Sequence, residues 1–180
     1  GDASSRIFYR KKDKKNSSII IYSNKDKRSN LLNYDAVNKI LLKNKILAPV
    51  LLSKNYKKNF IEIRDFGNQT IFDILKKKRT NKIKIYKQII DLLKNLQSIK
   101  LKKIINFNNA EYTIPTYTTK ILENEAKLFS DWYIEKKIKR LNQKKFKKSY
   151  IKVIKKLIKK INLKNDTFVH RDFHISNLMM

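Results

Sequence analysis

Two residues near the end of the chain have the types and the spacing that phosphoryl transfer requires. Asp172 and Asn177 lie five positions apart in the run Phe-Val-His-Arg-Asp-Phe-His-Ile-Ser-Asn-Leu-Met-Met, which ends at residue 180. A carboxylate such as that of Asp172 can hold an acceptor hydroxyl and take its proton, and the side-chain oxygen of Asn177 can hold a magnesium ion that bridges the ATP phosphates. The sequence therefore predicts a catalytic loop that uses ATP and Mg²⁺.

Such a loop needs supporting structure on both sides. Strand-like residues flank it at 167–169 and 178–180, and His170 stands at its start, where the ring is expected to fix the loop backbone. The alternative is a chance His/Asp cluster in a surface turn, because a short pattern is only a hypothesis until its structural context is found. The strand-loop-strand context favours the catalytic loop.

The composition excludes several classes of site. The chain has no cysteine, so disulfides, thiolate metal sites and thiol nucleophiles are ruled out within it. No apolar run approaches the roughly 20 residues that cross a bilayer, and no signal-peptide pattern opens the chain, so we expect a cytoplasmic protein with no membrane partner. The chain begins at Gly1 and stops three residues after Asn177 in a strand-like segment, and we expect it to be a fragment. No feature points to a particular oligomeric state.

The formal net charge of +29 would ordinarily suggest a nucleic-acid partner. Only seven of the 44 basic residues are Arg, however, and the Lys residues are spread along the whole chain. Arg has the planar fork that suits phosphate and base recognition. The abundance of Lys, Ile and Asn fits an AT-rich genome. We therefore expect no specific nucleic-acid partner and only weak affinity for polyanions.

Apolar periodicity predicts an α+β chain in which the sheet comes first. Strands are expected at 6–10 and 18–23 as a hairpin and at 50–52 and 60–63, with a helix over 30–45 between the two pairs. Gly67, one of two glycines, interrupts the pattern and is expected to have a special backbone conformation. The remainder is predicted as helices over 71–78 (N-capped by Thr70), 82–98, 119–141 and 145–161, with a loop over 100–118.

The His-x-Asp-x-His-x-x-Asn run resembles the aminoglycoside phosphotransferase and choline-kinase-like superfamily, which phosphorylates small molecules. Protein kinases usually have Lys two residues after the Asp, and here that residue is His174. The resemblance implies Asp172, His170 and His174 as catalytic residues and Asn177 as the metal ligand. It also implies a protein-kinase-like two-lobed fold, with a β-rich nucleotide-binding lobe over 1–66 and a helical lobe over 67–180 that is incomplete at its C-terminus.

Two further segments resemble the branch of cell-wall-recycling anomeric amino-sugar kinases, which phosphorylate N-acetylmuramate and N-acetylglucosamine. They are Gly-Asp-Ala-Ser-Ser-Arg-Ile-Phe-Tyr-Arg at 1–10 and Leu-Glu-Asn-Glu-Ala-Lys-Leu-Phe-Ser-Asp-Trp-Tyr at 122–133. In this branch the Asp-Ala-Ser-Ser turn replaces a glycine-rich phosphate loop, which implies Ser4, Ser5 and Arg6 beside the phosphates. Asp65 in the Arg-Asp-Phe-Gly hinge completes the implied nucleotide site. The alternative for residues 2–5 is an ordinary polar turn.

Three features of the chain leave alternatives open. In the wider kinase pattern a strand Lys contacts the phosphates and pairs with a helix carboxylate, but the strand segment 19–24 has no Lys. Either Lys25 or Lys27 substitutes for it, or both are surface residues. Asp35 is likewise either the helix carboxylate of that pair or a surface residue. Trp132, with Tyr133, either lines an acceptor pocket or belongs to the core, which its helical spacing favours. Glu125 either contacts a polar acceptor group or is solvated.

These observations predict a small-molecule kinase that acts on a hydroxyl group, with an amino sugar as the first candidate acceptor. The alternatives are a kinase for an aminoglycoside, choline or homoserine, and a catalytically inactive polyanion-binding relative. The intact Asp172 and Asn177 oppose inactivity, whereas the missing strand Lys favours it. We expect the 180-residue chain to be inactive alone, since the second metal carboxylate of such kinases follows this loop by one hairpin.

Overall fold

The N-terminal part of the chain forms an antiparallel sheet with one helix. The computed structural model describes residues 6–13, 16–161, 164 and 166–179. Strands β1 (Arg6–Lys12) and β2 (Ser17–Ser23) form the expected hairpin, and a 3-10 turn (Lys25–Lys27) leads into helix α1 (Ser29–Lys43). Strands β3 (Leu51–Asn55) and β4 (Phe60–Arg64) complete a four-stranded sheet of order β1-β2-β4-β3. The predicted element order is confirmed in this region.

The rest of the described chain is mostly helical. Its elements are α2 (Ile71–Leu75), α3 (Lys82–Gln97), β5 (Lys103–Ile105), β6 (Glu111–Thr113), α4 (Thr119–Leu128), a π-helical turn (Phe129–Ile134), α5 (Glu135–Lys137), α6 (Arg140–Lys160) and a 3-10 turn (Ile175–Asn177). None of the described helices is long and apolar enough to cross a membrane.

Several expectations about these elements are wrong, including the bounds of two helices, since α2 ends at Leu75 and not at 78 and α6 begins at Arg140 and not at 145. The segment 100–118, predicted as a loop, contains the antiparallel β5-β6 hairpin. The helix predicted over 119–141 is broken by the π-helical turn and ends at Lys137. Residues 167–169 form no strand, and among the described residues after the predicted catalytic loop Met179 forms an isolated bridge with Thr70.

The chain divides into two compact units. The first comprises Gly1–Ile114 together with Thr167–Met180, and the second comprises Pro115–Asp166. The sheet and the predicted catalytic loop therefore belong to the same unit. The lobe boundary after residue 66 stays a prediction.

Helix α1 organises the core of the first unit because it is apolar on two sides. Leu31 packs with the sheet residues Ile21 and Ile61, whereas Ala36 and Ile40 pack with a second cluster. That second cluster is completed by Ile46, Leu96, Ile99 and Ile104. Burying apolar surface of this kind stabilises a fold by about 25 cal/mol per Å². The sheet and α3 are thus joined through one helix.

In the second unit, the π-helical turn changes which residues are buried. Ser130 and Ile134 are buried, whereas the side chain of Trp132 is 68 % exposed, so the expectation that Trp132 belongs to the core is wrong. The turn exposes aromatic surface instead, since the rings of Phe129 and Tyr133 stack with centroids 5.2 Å apart. Apolar side chains of α6 such as Val153 and Leu157, which were predicted to face inward, are about half exposed, and so is that of Ile161, which follows the helix.

Candidate active site

The predicted catalytic loop is held by apolar side chains on both sides of Asp172. Phe168 and Phe173 pack against the core cluster that α1 shares with α3. Ile175 and Leu178 pack against a third cluster, made by α2 and α3. The main chain is fixed as well, because the Ile71 N–H donates to the Leu178 carbonyl at 2.8 Å. The loop backbone is therefore bounded by packed segments.

Helix α2, against which the loop ends, has a well-formed N-terminus. Thr70 and Asp73 form a capping box, in which the Thr70 hydroxyl accepts a bond from the Asp73 N–H and the Asp73 carboxylate accepts one from the Thr70 N–H. Hydrogen bonds from the Thr70 hydroxyl and N–H hold the pKa of Asp73 below its ordinary value. Such a box satisfies two donors that a helix start otherwise leaves unpaired. The predicted N-cap at Thr70 is confirmed.

Within the loop, Asp172 and Asn177 are in direct contact. The Asn177 Nδ2 donates to the Asp172 Oδ2 at 2.7 Å and to the Asp172 main-chain carbonyl at 3.1 Å. Because Asn has one donor group and one acceptor oxygen, this contact directs its nitrogen to Asp172 and leaves Oδ1 as the group that can face a cation. The 3-10 turn between the two residues brings them together, and in this turn the Asn177 N–H donates to the His174 carbonyl at 2.9 Å.

His174 lies on the other side of the Asp172 carboxylate. Its Nε2 is 3.7 Å from the Asp172 Oδ1, and its Nδ1 accepts a bond from the Ser176 N–H at 3.3 Å. An Nδ1 that accepts a hydrogen bond leaves the proton of neutral imidazole on Nε2, the nitrogen that faces Asp172. The ring is thus oriented by the turn, and it places an N–H beside the carboxylate.

The Asp172 side chain points to solvent, where it is 73 % exposed. The residue before it, Arg171, has a left-handed backbone with φ of 69°. A residue with a Cβ rarely adopts that conformation, and such residues concentrate at functional sites. His170, predicted to fix the loop, packs its ring edge-to-face on Phe173 with centroids 5.9 Å apart. The loop therefore presents its carboxylate outward from a fixed backbone.

The residues predicted to contact the phosphates are only partly described. Ser4 and Ser5 lie outside the described residues, so the prediction for them stays a prediction. Arg6 begins β1, and its guanidinium carbon lies 5.4 Å from the ring centroid of Tyr34. Burial raises the pKa of Tyr34, while a hydrogen bond from Asn38 and the charge of Arg6 act in the opposite direction.

Asp65, the remaining predicted nucleotide residue, is almost fully buried and bonded to an arginine that the sequence did not single out. Its Oδ2 is 2.7 Å from the Arg10 Nε, and its Oδ1 accepts bonds from the Arg10 Nη2 at 3.0 Å and from the Gly67 N–H at 2.8 Å. Burial alone would raise the pKa of Asp65, but bonds from Gly67, Ser17 and Arg10 hold it below its ordinary value. The carboxylate is therefore charged and engaged within the fold.

Asp35, the helix carboxylate whose role was open, is a buried residue and not a surface one. It is 2 % exposed and its Oδ2 lies 2.9 Å from the Nζ of Lys39, one turn further along α1. Lys39 also donates to the Ile105 carbonyl at 3.3 Å. A cation of the same helix thus faces the carboxylate that the wider kinase pattern would pair with a strand Lys. Lys25 and Lys27 are exposed.

The open question about Glu125 has a partial answer in the second unit. The Tyr117 hydroxyl donates to its carboxylate across the start of α4. Glu125 is therefore engaged within its own unit and is not simply solvated.

The described residues contain no group of three or more His, Asp or Glu side chains that could form a cation site by themselves. Mg²⁺ in phosphotransferases does not need one, since it keeps several waters and takes one or two protein oxygens together with the substrate phosphates. The Asn177 Oδ1 would supply one such protein oxygen, because the Asn177 Nδ2 is directed to Asp172.

Comparisons with known proteins find relatives that are named kinases. No protein-family model matches the chain. It is 24 % identical over 178 residues to an N-acetylmuramate/N-acetylglucosamine kinase of Pseudomonas putida, covering 99 % of this chain and 49 % of the relative. Proteins of the same name from Neisseria meningitidis and Pseudomonas aeruginosa are 22 % and 23 % identical over 182 and 133 residues, covering 99 % and 74 % of this chain and 51 % and 36 % of those relatives. The chain thus spans about half the length, or less, of the curated relatives it matches.

Proposed function

We propose that this chain belongs to an ATP- and Mg²⁺-dependent kinase of the two-lobed type that phosphorylates a hydroxyl group of an amino sugar. The observation that carries the proposal is the 2.7 Å hydrogen bond between Asn177 and Asp172 in a loop anchored at both ends. It brings together the two groups that phosphoryl transfer to an alcohol requires, a proton-accepting carboxylate and a neutral oxygen ligand.

In this proposal, Asp172 orients the acceptor. Its exposed carboxylate accepts a hydrogen bond from the sugar hydroxyl and takes the proton as the oxygen attacks the terminal phosphate of ATP. The bond from Asn177 and the nearby Nε2 of His174 hold the two carboxylate oxygens in place. Positioning is a large part of catalysis in this reaction, because the transition state is loose and offers little covalent chemistry to the protein.

Asn177 would hold the magnesium ion through Oδ1, because its Nδ2 is directed to Asp172. When bound, the ion would supply positive charge against the negative charge that develops on the phosphates. Arg6 lies on β1, next to the segment that carries Ser4 and Ser5, and would add a cation on the sheet side. The Asp35 carboxylate is already paired with Lys39 and is assigned a structural role.

The choice of an amino sugar rests on the relatives, whose printed names state N-acetylmuramate and N-acetylglucosamine as substrates. The catalytic loop by itself fits any alcohol acceptor. The acceptor is therefore the part of the proposal that needs a direct test.

The test is a screen of ATP consumption with the full-length gene product over amino sugars, aminoglycosides and amino alcohols. We expect the highest turnover with N-acetylmuramate or N-acetylglucosamine, and we expect chelation of Mg²⁺ to abolish it. Preference for an aminoglycoside or for choline would refute the sugar assignment while leaving the kinase assignment intact. If the folded protein consumed ATP with none of the acceptors in the screen, both assignments would be refuted.

A further inference from the structure

The guanidinium of Arg10 connects the edge strand of the sheet to the segment that leads into α2. Arg10 lies on β1, which pairs with β2 and is an edge strand of the sheet that the described residues form. All three of its nitrogens are used, because the Nε and Nη2 engage the Asp65 carboxylate, Nη2 also donates to the Gly67 carbonyl at 2.8 Å, and Nη1 donates to the Asn68 side-chain oxygen. We call this group of residues the Arg10 clamp.

The geometry of the clamp is that of a rigid connection. Arg10 holds Asp65 through two parallel contacts, a fork geometry that only arginine can make. The Asp65 side chain is 3 % exposed, so water competes weakly for the pair. Gly67 has φ of 85°, a conformation that turns its N–H back to Asp65 and its carbonyl toward Arg10. The clamp therefore fixes the backbone at the end of β4.

The segment that the Arg10 clamp fixes is connected to the catalytic loop through the start of α2. Three residues after Gly67, Thr70 caps α2 and makes the bridge to Met179. Ile71 follows and bonds to Leu178, the residue next to Asn177. Since α2 also packs on Ile175 and Leu178, a shift of the clamped segment would be passed to the 3-10 turn that holds Asn177.

We infer that Arg10 is a positioning residue for the reaction proposed above. By fixing residues 65–68, it holds the catalytic loop in register with the sheet, whose strand β1 begins at the predicted phosphate-contacting residue Arg6. Arg10 acts on the loop indirectly. Its influence is carried by Asp65, Gly67 and α2, which belong to the same compact unit as the loop.

The inference rests on the proposed function, and its test has one readout that does not. Arg10→Lys keeps the charge and loses the fork, whereas Arg79→Lys makes the same change at an exposed arginine after α2 and serves as the matched control. Hydrogen exchange is followed at the amides of 67–71 and of 172–178 in the full-length protein. We expect both segments to exchange at least fivefold faster in Arg10→Lys than in the control.

The kinetic readout uses the acceptor found in the screen. We expect kcat of Arg10→Lys to fall about tenfold while KM for ATP and for the sugar changes less than twofold, because misplaced catalytic groups impair the chemical step. Asp65→Asn should give the same loss, and the double variant should lose no more than either single variant, since the two residues act as one unit. A merely stabilising clamp would lower the melting temperature and leave kcat unchanged.

Two results would overturn the inference. One is faster exchange confined to 67–71 with the loop unchanged, a result that can be read whether or not the protein is a kinase. The other is a kcat of Arg10→Lys within twofold of the Arg79→Lys control. An inactive parent protein would count against the proposed function, and the exchange data would still decide whether Arg10 holds the loop.

Discussion

Replacement of Asp172 by Asn tests the assigned proton acceptor with little disturbance of the fold. The side chain is 73 % exposed, so the substitution buries no unpaired group. The new amide oxygen can still accept the bond from Asn177, although a bond to a neutral acceptor is weaker than one to a carboxylate by about 1 kcal/mol. We therefore expect nucleotide affinity to change less than about fivefold.

The chemical step should suffer much more. Loss of a general base typically lowers the rate by about 10² to 10⁴, which corresponds to roughly 2.7 to 5.5 kcal/mol in the barrier. The assay compares kcat, KM for ATP and the melting temperature of Asp172→Asn with those of Asp91→Asn, which changes an equally exposed carboxylate on α3. Activity of Asp172→Asn within a few-fold of that control would remove Asp172 from the mechanism.

Three further predictions concern the rest of the chain. Lys39→Met leaves the buried Asp35 carboxylate without its cation and should lower the free energy of unfolding by about 2 to 3 kcal/mol in denaturant melts, whereas Lys43→Met on the exposed side of α1 should change it little. The pKa of Asp65 is lowered in the folded state, so its charged form adds stability that is complete above the unfolded-state pKa of about 3.9 and is lost as the pH falls through the folded-state pKa. In Asp65→Asn, the free energy of unfolding should therefore depend less on pH in this acid range. Binding to DNA or RNA should be weak, independent of sequence and lost at moderately raised salt, and submicromolar selective binding at physiological salt would contradict this.

The elements that the sequence predicts correctly are long enough for their apolar periodicity to repeat several times. The β1-β2 hairpin has two seven-residue strands, and α3 continues over sixteen residues. The β5 and β6 strands have three residues each, which is too short for an alternating pattern to be distinguished from a loop. Trp132 was misassigned because the π-helical turn departs from the 3.6-residue period on which its predicted burial depended.

Within the candidate site, the sequence predicts contacts between residues of one motif but not contacts between residues that are distant in sequence. The Asp172 and Asn177 pair was visible because both residues belong to one short motif, and the structure places them in contact. The Arg10 and Asp65 contact joins residues 55 positions apart, and no local pattern marks one of seven arginines as the partner. The burial of Asp35 depends on how α1 packs against the β5-β6 region, which the sequence predicts as a loop.

The most direct test of the central claim is to follow the phosphate itself. The full-length protein is incubated with ATP, Mg²⁺ and N-acetylglucosamine or N-acetylmuramate, and the products are identified by ³¹P NMR. The account predicts equal amounts of ADP and a sugar phosphate ester, with no product when Asp172 is replaced by Asn. Release of inorganic phosphate without a sugar ester, or unchanged ATP in the presence of folded protein, would contradict the assignment of this loop to phosphoryl transfer.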